Sequence, residues 1–135
     1  MNPRRLAHLS LRLTLGVNIA VHGLVRVTDP LGFAEKLVEL FAGVLPRWAV
    51  LPFAAALPFL ELAVGLAVLV GARLMHALFC GALVMTALTF GTCLRQDWPG
   101  AGLQLCYAIA YAILLGTLEH AHWTLTKREA SWTSN

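Results

Sequence analysis

One carboxylate lies within a long apolar run, and it is the residue whose chemistry most needs an explanation. Glu61 falls in the run from Leu57 to Gly71, which is 20 residues long when extended back to Pro52. A helix of that length spans about 30 Å, the thickness of the hydrocarbon core of a bilayer. An ionised carboxylate at that depth is costly, so it is normally paired, protonated or turned toward a protein interior. We therefore expect Glu61 to have a functional role or a charged partner.

A polar stripe in the first apolar segment supplies candidate partners. Asn18, His22 and Arg26 recur every four residues and so share one face of a helix. The sequence predicts that Glu61 pairs with His22 or Arg26. Because histidine changes charge near neutral pH, His22 and Glu61 together could take up or release a proton beside a bound molecule whose redox change requires one. The alternative is a static ion pair that only fixes the register of two helices.

Two later apolar segments carry polar residues at similar spacing. We place each set toward the outer side of the membrane, at a depth near that of Asn18 and of Glu61, which lies about 13 Å from the outer edge. The sets are Thr86, Thr89 and Cys93 on the third segment, and Gln104, Tyr107 and Tyr111 on the fourth. The pattern predicts a polar-lined pocket in the outer half, roofed by the segment from Phe33 to Leu45. Hydrogen bonds between helices and plain packing are the alternative explanations for these side chains.

The composition identifies the class of protein. Of the 135 residues, 59% are hydrophobic and 13% are charged, and the mean hydropathy is +0.72, which is typical of a membrane protein. The net charge of +3 comes from cations at segment ends and not from a basic stripe interleaved with aromatic residues, so we expect no nucleic-acid partner. Three cysteines without a C-x-x-C pair give no support to a metal site. Cys93 and Cys106 could approach each other, although plain packing is the commoner role.

The segment pattern predicts an all-α protein. We expect a single membrane domain over residues 1–135, in which an up-and-down four-helix bundle is combined with a short amphipathic helix at the membrane interface between the first two spans. The expected spans are 6–27, 50–71, 74–94 and 101–120, with the interfacial helix at 31–45 and a polar tail at 123–135. The distribution of Lys and Arg, with Arg4, Arg5 and Arg12 at the start of the first span, favours cytoplasmic N- and C-termini. Pro52 and Pro58 predict a kinked second span that packs on protein.

The first two helices resemble a known family. Leu11-Arg-Leu-Thr-Leu-Gly16 and His22-Gly-Leu-Val-Arg26, followed by Leu57-Pro-Phe-Leu-Glu61 and the glycines Gly65 to Gly71, are similar to the DoxX family of small four-helix membrane proteins. The resemblance covers about Leu9 to Leu115, and family members commonly have lysine where Arg26 stands here. It implies a bacterial inner-membrane protein associated with redox work. The name-giving branch is linked to a quinone-reducing thiosulfate oxidoreductase, and other members accompany enzymes of oxidative-stress or respiratory assemblies.

Two functions are expected. In the first, the chain is a redox-associated membrane subunit that binds a quinone-like molecule in the outer half of the bundle, where Glu61 and His22 handle protons and Arg26 keeps Glu61 ionised. The remaining residues expected to line that site are Asn18, Gln104, Tyr107 and Tyr111. In the second, the chain is a non-catalytic accessory subunit of a larger respiratory or photosynthetic membrane complex, and Glu61 is structural. The expected partners are the lipid bilayer and either other subunits of a membrane complex or further copies of this chain. A small-molecule transporter is the third alternative, against which the lack of an evident repeat argues.

Overall fold

The computed structural model describes residues 2–125, and their regular structure is helical throughout. The elements in chain order are α1 Pro3–Arg26, α2 Pro30–Leu40, α3 Arg47–Val70, α4 Leu74–Leu94 and α5 Trp98–Gly116, followed by a 3₁₀ turn at Leu118–His120. The prediction of an all-α chain is therefore confirmed over this range. Most of the predicted polar tail, from residue 126 onward, lies outside the described residues.

Side-chain caps decide where three of the helices begin. Asn2, Asp29 and Asp97 each accept a hydrogen bond from a backbone N–H of the first turn, and each is followed by a proline in that turn. Both features satisfy or remove N–H groups that a helix start leaves unpaired. Pro99 and Gly100, a pair of residues that often marks a turn, thus lie in the first turn of α5. The helix consequently starts at Trp98, three residues before the predicted start of the fourth span.

Glycines in the left-handed region mark two helix ends. Gly71, with φ 72°, follows the last residue of α3. Gly43, with φ 79°, lies in the turns after α2, which ends at Leu40 and not at residue 45 as predicted for the interfacial helix. Residues with side chains rarely adopt this positive-φ conformation, whereas glycine adopts it at little cost in free energy. Both glycines can therefore lie where a helix ends.

The antiparallel pair α1 and α3 is the closest helix contact in the fold. A Cβ atom added to Gly65 would lie 2.2 Å from the backbone nitrogen of Ala20, and one added to Gly23 would lie 2.3 Å from that of Leu62. The two backbones are therefore nearly in contact, as small residues permit in helix pairs. Pro58 is buried beside Gly23, so this half of α3 does pack on protein, and both internal prolines lie within an uninterrupted helix.

The four long helices described, α1, α3, α4 and α5, contact one another in pairs. α3 packs on α4, α4 packs on α5, and α5 packs on α1. They enclose an apolar core that includes Leu15, Ile19, Val68, Leu78, Met85, Tyr111 and Leu114. The C-terminal ends of α1 and α4 lie near the N-terminal ends of α3 and α5, at Arg26, Leu94, Arg47 and Trp98. A cavity opens between the helices here, so this end of the fold is named the cavity end.

Within residues 2–125, three helices are long and apolar enough to cross a membrane. They are α3, α4 and α5, each with an 18-residue window of mean hydropathy between 1.4 and 2.3. α1 is as long as α3 but carries four arginines and is not among the three. α2 has 11 residues and packs mainly on α3.

At the end opposite the cavity, α1 holds the segment that follows α5. Arg12 is only 2% exposed, and its guanidinium donates to the backbone carbonyls of His122 at 3.1 Å and Trp123 at 2.9 Å. One turn earlier, Nδ1 of His8 lies 3.0 Å from the hydroxyl of Thr117. Arg12 was expected to be a charge that flanks the first span, and it is instead a buried cross-link between the two ends of the described chain.

Replacing Arg12 with methionine is expected to release residues 121–125. The change removes two hydrogen bonds from a charged donor, each of which contributes about 1.5–3 kcal/mol, so amide hydrogen exchange in this segment should accelerate by roughly tenfold or more. Exchange measured by mass spectrometry would show it. Arg5→Met, at an exposed position of the same helix, is the matched control and should leave exchange unchanged. Equal exchange in both variants would contradict the proposed cross-link.

Candidate functional site

A cavity of about 550 Å³ opens at the cavity end between α1, α3, α4, α5 and the short helix α2. Its wall is largely apolar and includes Ile19, Phe33, Leu37, Leu57, Met85 and Phe90. Of the seven residues that the sequence assigned to a site, the cavity brings together Asn18, His22, Arg26, Glu61, Gln104 and Tyr107. The predicted covering segment also lies on it, through side chains from Phe33 to Leu45.

Glu61 is paired with Arg26, one of its two predicted partners. The Nη1 atom of Arg26 lies 2.7 Å from Oε1 and 2.6 Å from Oε2 of Glu61. Glu61 is 4% exposed and the Arg26 side chain is 30% exposed, so the carboxylate is buried while the cation reaches the cavity. The pair compensates a charge that would otherwise be stranded in an apolar interior.

His22 does not bond to Glu61. Its Nδ1 atom lies 2.8 Å from the backbone carbonyl oxygen of Asn18, one turn earlier in α1. A carbonyl oxygen only accepts, so Nδ1 carries the proton and Nε2 of the neutral ring has a free lone pair. His22 is exposed toward the cavity, where that nitrogen could accept a proton or a hydrogen bond.

The predicted stripe on α4 is wrong in its choice of residues. The hydroxyls of Thr86 and Thr89 donate to carbonyl oxygens of their own helix, and neither residue lines the cavity. Thr92 does, and its hydroxyl lies 3.0 Å from the side-chain amide of Gln104 on α5. The spacing of polar residues predicted a stripe but did not define which face of α4 meets the cavity. Cys93 and Cys106 are both free thiols and do not pair.

Two arginines hold α2 against the mouth of the cavity. The Arg26 guanidinium lies 4.8 Å from the centre of the Phe33 ring, and that of Arg95 lies 5.4 Å from the Phe41 ring. Such cation–π contacts contribute about 0.5–1 kcal/mol at exposed sites. Sequence analysis missed Arg95, since its only sequence signal was a position in a short polar loop.

An exposed ion pair joins α2 to the start of α3. Arg47 donates to both carboxylate oxygens of Glu35, with one distance of 2.6 Å. These hydrogen bonds lower the pKa of Glu35 below its ordinary value. A lowered carboxyl pKa means that the stabilisation is present above the ordinary glutamate pKa and is lost as the pH falls through the lowered value.

Tyr111 lies outside the cavity wall. It is fully buried in the core, where its ring packs on Gly81 of α4, and its hydroxyl has no hydrogen-bond partner among residues 2–125. The sequence placed it in the site because it is four residues after Tyr107. A four-residue step covers slightly more than one turn, and here it moves the ring from the cavity wall into the helix interface.

Replacing Tyr111 with phenylalanine is expected to leave the fold as stable as before or to stabilise it by up to about 1 kcal/mol. The reason is that a buried hydroxyl without a partner costs free energy that the phenylalanine ring does not. Thermal unfolding in detergent micelles measures the effect, with Tyr107→Phe at the cavity wall as the control. A loss of more than about 1 kcal/mol would show that the Tyr111 hydroxyl is hydrogen-bonded in solution.

Comparisons with known proteins do not identify this arrangement. No family model matches the chain, and no curated protein or solved structure shows significant similarity to it. Within residues 2–125, no group of three or more His, Cys, Asp or Glu side chains is placed to hold a metal ion. The cavity residues instead suit an amphipathic organic ligand, with an apolar wall and a few polar groups that would fix its orientation.

Proposed function

We propose that this chain is a DoxX-like, redox-associated membrane protein that binds a quinone-like molecule in the cavity. One observation carries the proposal, namely that an apolar cavity of about 550 Å³ contains both the Arg26–Glu61 pair and His22. Sites for small organic molecules commonly have volumes of about 300–1,000 Å³ and combine apolar walls with few polar groups. The ring of a quinone and the first part of its apolar tail suit such a space.

The membrane arrangement is part of the same proposal. We infer that the four long helices form an up-and-down bundle in a bacterial inner membrane, with cytoplasmic termini and the cavity in the outer half. The three long apolar helices support this inference. So do Trp48 and Trp98, which are 78% and 64% exposed near the cavity end, because tryptophan side chains concentrate at membrane interfaces.

The residues around the cavity would have different roles toward a bound quinone. A bound quinone supplies two-electron chemistry that is coupled to protons. Arg26 keeps the Glu61 carboxylate charged in its buried position, and Nε2 of His22 can accept a proton at the cavity wall. The apolar side chains of α2 exclude water from the mouth and orient an apolar tail.

Blocking the cavity with a large side chain tests the proposal. Ala49 lines the cavity, so Ala49→Trp should weaken the binding of a decyl-substituted para-quinone by tenfold or more. Ala63, exposed on the same helix away from the cavity, provides the control variant Ala63→Trp. Isothermal titration calorimetry on protein in lipid nanodiscs gives both dissociation constants. Equal affinities in the two variants, or no binding by the native chain, would reject the proposal.

A second candidate function is that of a non-catalytic accessory subunit. It is favoured by the contact of Arg26 with both oxygens of Glu61, which is what a purely structural tie between α1 and α3 requires. Native mass spectrometry of the gently extracted protein distinguishes the two. A monomer or homo-oligomer that carries a quinone-mass adduct supports the cavity as a redox site, whereas recovery only within a larger complex and without an adduct supports the accessory role.

A further inference from the structure

The charges that line the cavity do not cancel. Apart from His22, the charged side chains in its lining are Arg26, Glu61 and Arg95, two cations against one carboxylate. Arg26 and Glu61 form an ion pair with each other. Within residues 2–125, no carboxylate forms an ion pair with Arg95. The lining therefore carries one positive charge, that of Arg95, which no acidic side chain described here compensates.

Asp97, the acidic residue closest to Arg95 in the sequence, is engaged elsewhere. Its Oδ1 atom accepts a hydrogen bond from the backbone N–H of Gly100 at 3.1 Å and so caps the first turn of α5. A carboxylate is favoured in that place by the unpaired N–H groups and by the helix dipole. Asp97 does not line the cavity, so the charge of Arg95 is available to a ligand.

The Arg95 side chain has a defined place on the cavity wall. It is half-buried, and its guanidinium lies 5.4 Å from the centre of the Phe41 ring. That ring packs on Gly91, one turn before Arg95 on α4, and all three residues line the cavity. No described hydrogen bond uses the five N–H donors of this guanidinium. The contacts therefore hold the cation at the mouth and leave its donors for an acceptor.

Gln104 adds a neutral donor on the same side. The Thr92 hydroxyl lies 3.0 Å from Oε1 of Gln104, so the amide oxygen is engaged. Among the described residues the amide nitrogen of Gln104 has no hydrogen-bond partner, and this side chain lines the cavity. Thr92 and Arg95 are three residues apart and so are neighbours on α4. A guanidinium with an amide N–H nearby suits an anionic oxygen, because hydrogen bonds to an ionised acceptor are the strong ones.

We infer that the ligand is an acid, namely a quinone-like ring with an ionised hydroxyl group whose oxygen binds Arg95. This inference rests on the proposed quinone-like ligand and names its class. A hydroxyl beside one carbonyl of a para-quinone is conjugated to the opposite carbonyl, so it is a vinylogous carboxylic acid and is ionised at neutral pH. The neighbouring carbonyl oxygen is then an acceptor for the amide of Gln104. Glu61 does not oppose such an anion, because Arg26 already compensates its charge.

Three ligands test the preference for an acid. They are a para-naphthoquinone with a hydroxyl group beside one carbonyl and a decyl tail, the methyl ether of that compound, and decanoate. The ether keeps the ring and the tail without the charge, and decanoate keeps a charge and a tail without the ring. The full chain is titrated calorimetrically at neutral pH in nanodiscs of phosphatidylcholine, whose head groups bring no net charge.

The hydroxyquinone should bind at least about tenfold more tightly than its ether. Equal affinities for these two overturn the inference and leave the proposed function standing. No binding of any of the three overturns both. Decanoate binding as tight as that of the hydroxyquinone would overturn the quinone-like ring and leave only the anion site.

Variants of Arg95 test the residue assigned to the anion. Arg95→Gln removes the charge, so the preference for the hydroxyquinone over its ether should fall about tenfold, and Arg95→Lys should restore much of it. Loosening of α2 through the lost contact with Phe41 would weaken both ligands and leave their ratio unchanged. Lys36→Gln is the matched control, because it removes an exposed cation of α2 that does not line the cavity. Full preference in Arg95→Gln, or an equal loss in Lys36→Gln, would overturn the assignment.

Discussion

Replacing Arg26 with methionine is expected to lower the free energy of unfolding by about 3 kcal/mol, because it leaves the buried Glu61 carboxylate without its cation. Glu61 is 4% exposed and its described hydrogen bonds come from Arg26. For a chain of this size the loss corresponds to a fall in melting temperature of roughly 10 °C. Thermal unfolding monitored by tryptophan fluorescence in detergent micelles measures it.

A double variant shows whether the stability loss of Arg26→Met comes from the unpaired Glu61 charge or from lost packing of the Arg26 side chain. Arg26→Met combined with Glu61→Leu removes both charges, and replacement of a buried pair by apolar residues is often neutral. The double variant should therefore recover most of the lost stability. Arg47→Met breaks the exposed pair with Glu35 and should change the melting temperature little, since exposed ion pairs contribute little. If Arg26→Met were as mild as Arg47→Met, the buried pair would not be a determinant of stability.

Replacing Gly65 with alanine is expected to destabilise the fold by roughly 3 kcal/mol. The new methyl group would lie 2.2 Å from the backbone nitrogen of Ala20, and neither backbone can move without separating α1 from α3. The same separation would lengthen the contact between Arg26 and Glu61. We therefore expect ligand affinity at the cavity to fall together with the melting temperature.

Gly102→Ala is the matched control for this prediction. Gly102 also lies within a helix, but a Cβ atom added there would meet no described atom within 4 Å. Alanine should then stabilise α5 by about 0.5–1 kcal/mol through the ordinary difference in helix propensity. A stabilising effect of Gly65→Ala as well would show that α1 and α3 are not in close contact.

Helix positions could be predicted well from the sequence because apolar runs and breaking residues are local signals. The third predicted span has the bounds of α4, and Gly71 ends α3 as its position suggested. The predicted start of the fourth span was wrong because proline can either begin a helix or mark a turn. Pro99 begins a helix when an aspartate caps it, and without that cap it would mark a turn.

The positions of the candidate site residues follow the sequence in part, and the differences have a common cause. Asn18, His22 and Arg26 all line the cavity, as residues on one face of α1 should, and their role there stays a prediction. On α4, and for Tyr111 on α5, the residue spacing was known but the rotation of the helix about its axis was not. Packing of Gly81 against Tyr111 sets the contact between these two helices. Such a contact depends on two distant positions that no local pattern connects.

The hydrogen-bond partners of Arg12 could not be predicted from the sequence. A cation near the start of an apolar segment usually marks a membrane flank. Here its acceptors are backbone carbonyls of His122 and Trp123, and every residue has such a carbonyl. No side-chain signal could therefore have named the partners.

The Arg12 cross-link also bears on how the chain is made. Its two acceptors lie 110 and 111 residues later in the chain, so a ribosome delivers α1 long before they exist. In the proposed membrane setting, the insertion machinery or lipid head groups must solvate this guanidinium while α3, α4 and α5 are being translated. The Arg12 cross-link can therefore form only after residues 122 and 123 have been made, so the end of the fold opposite the cavity is completed late during biogenesis.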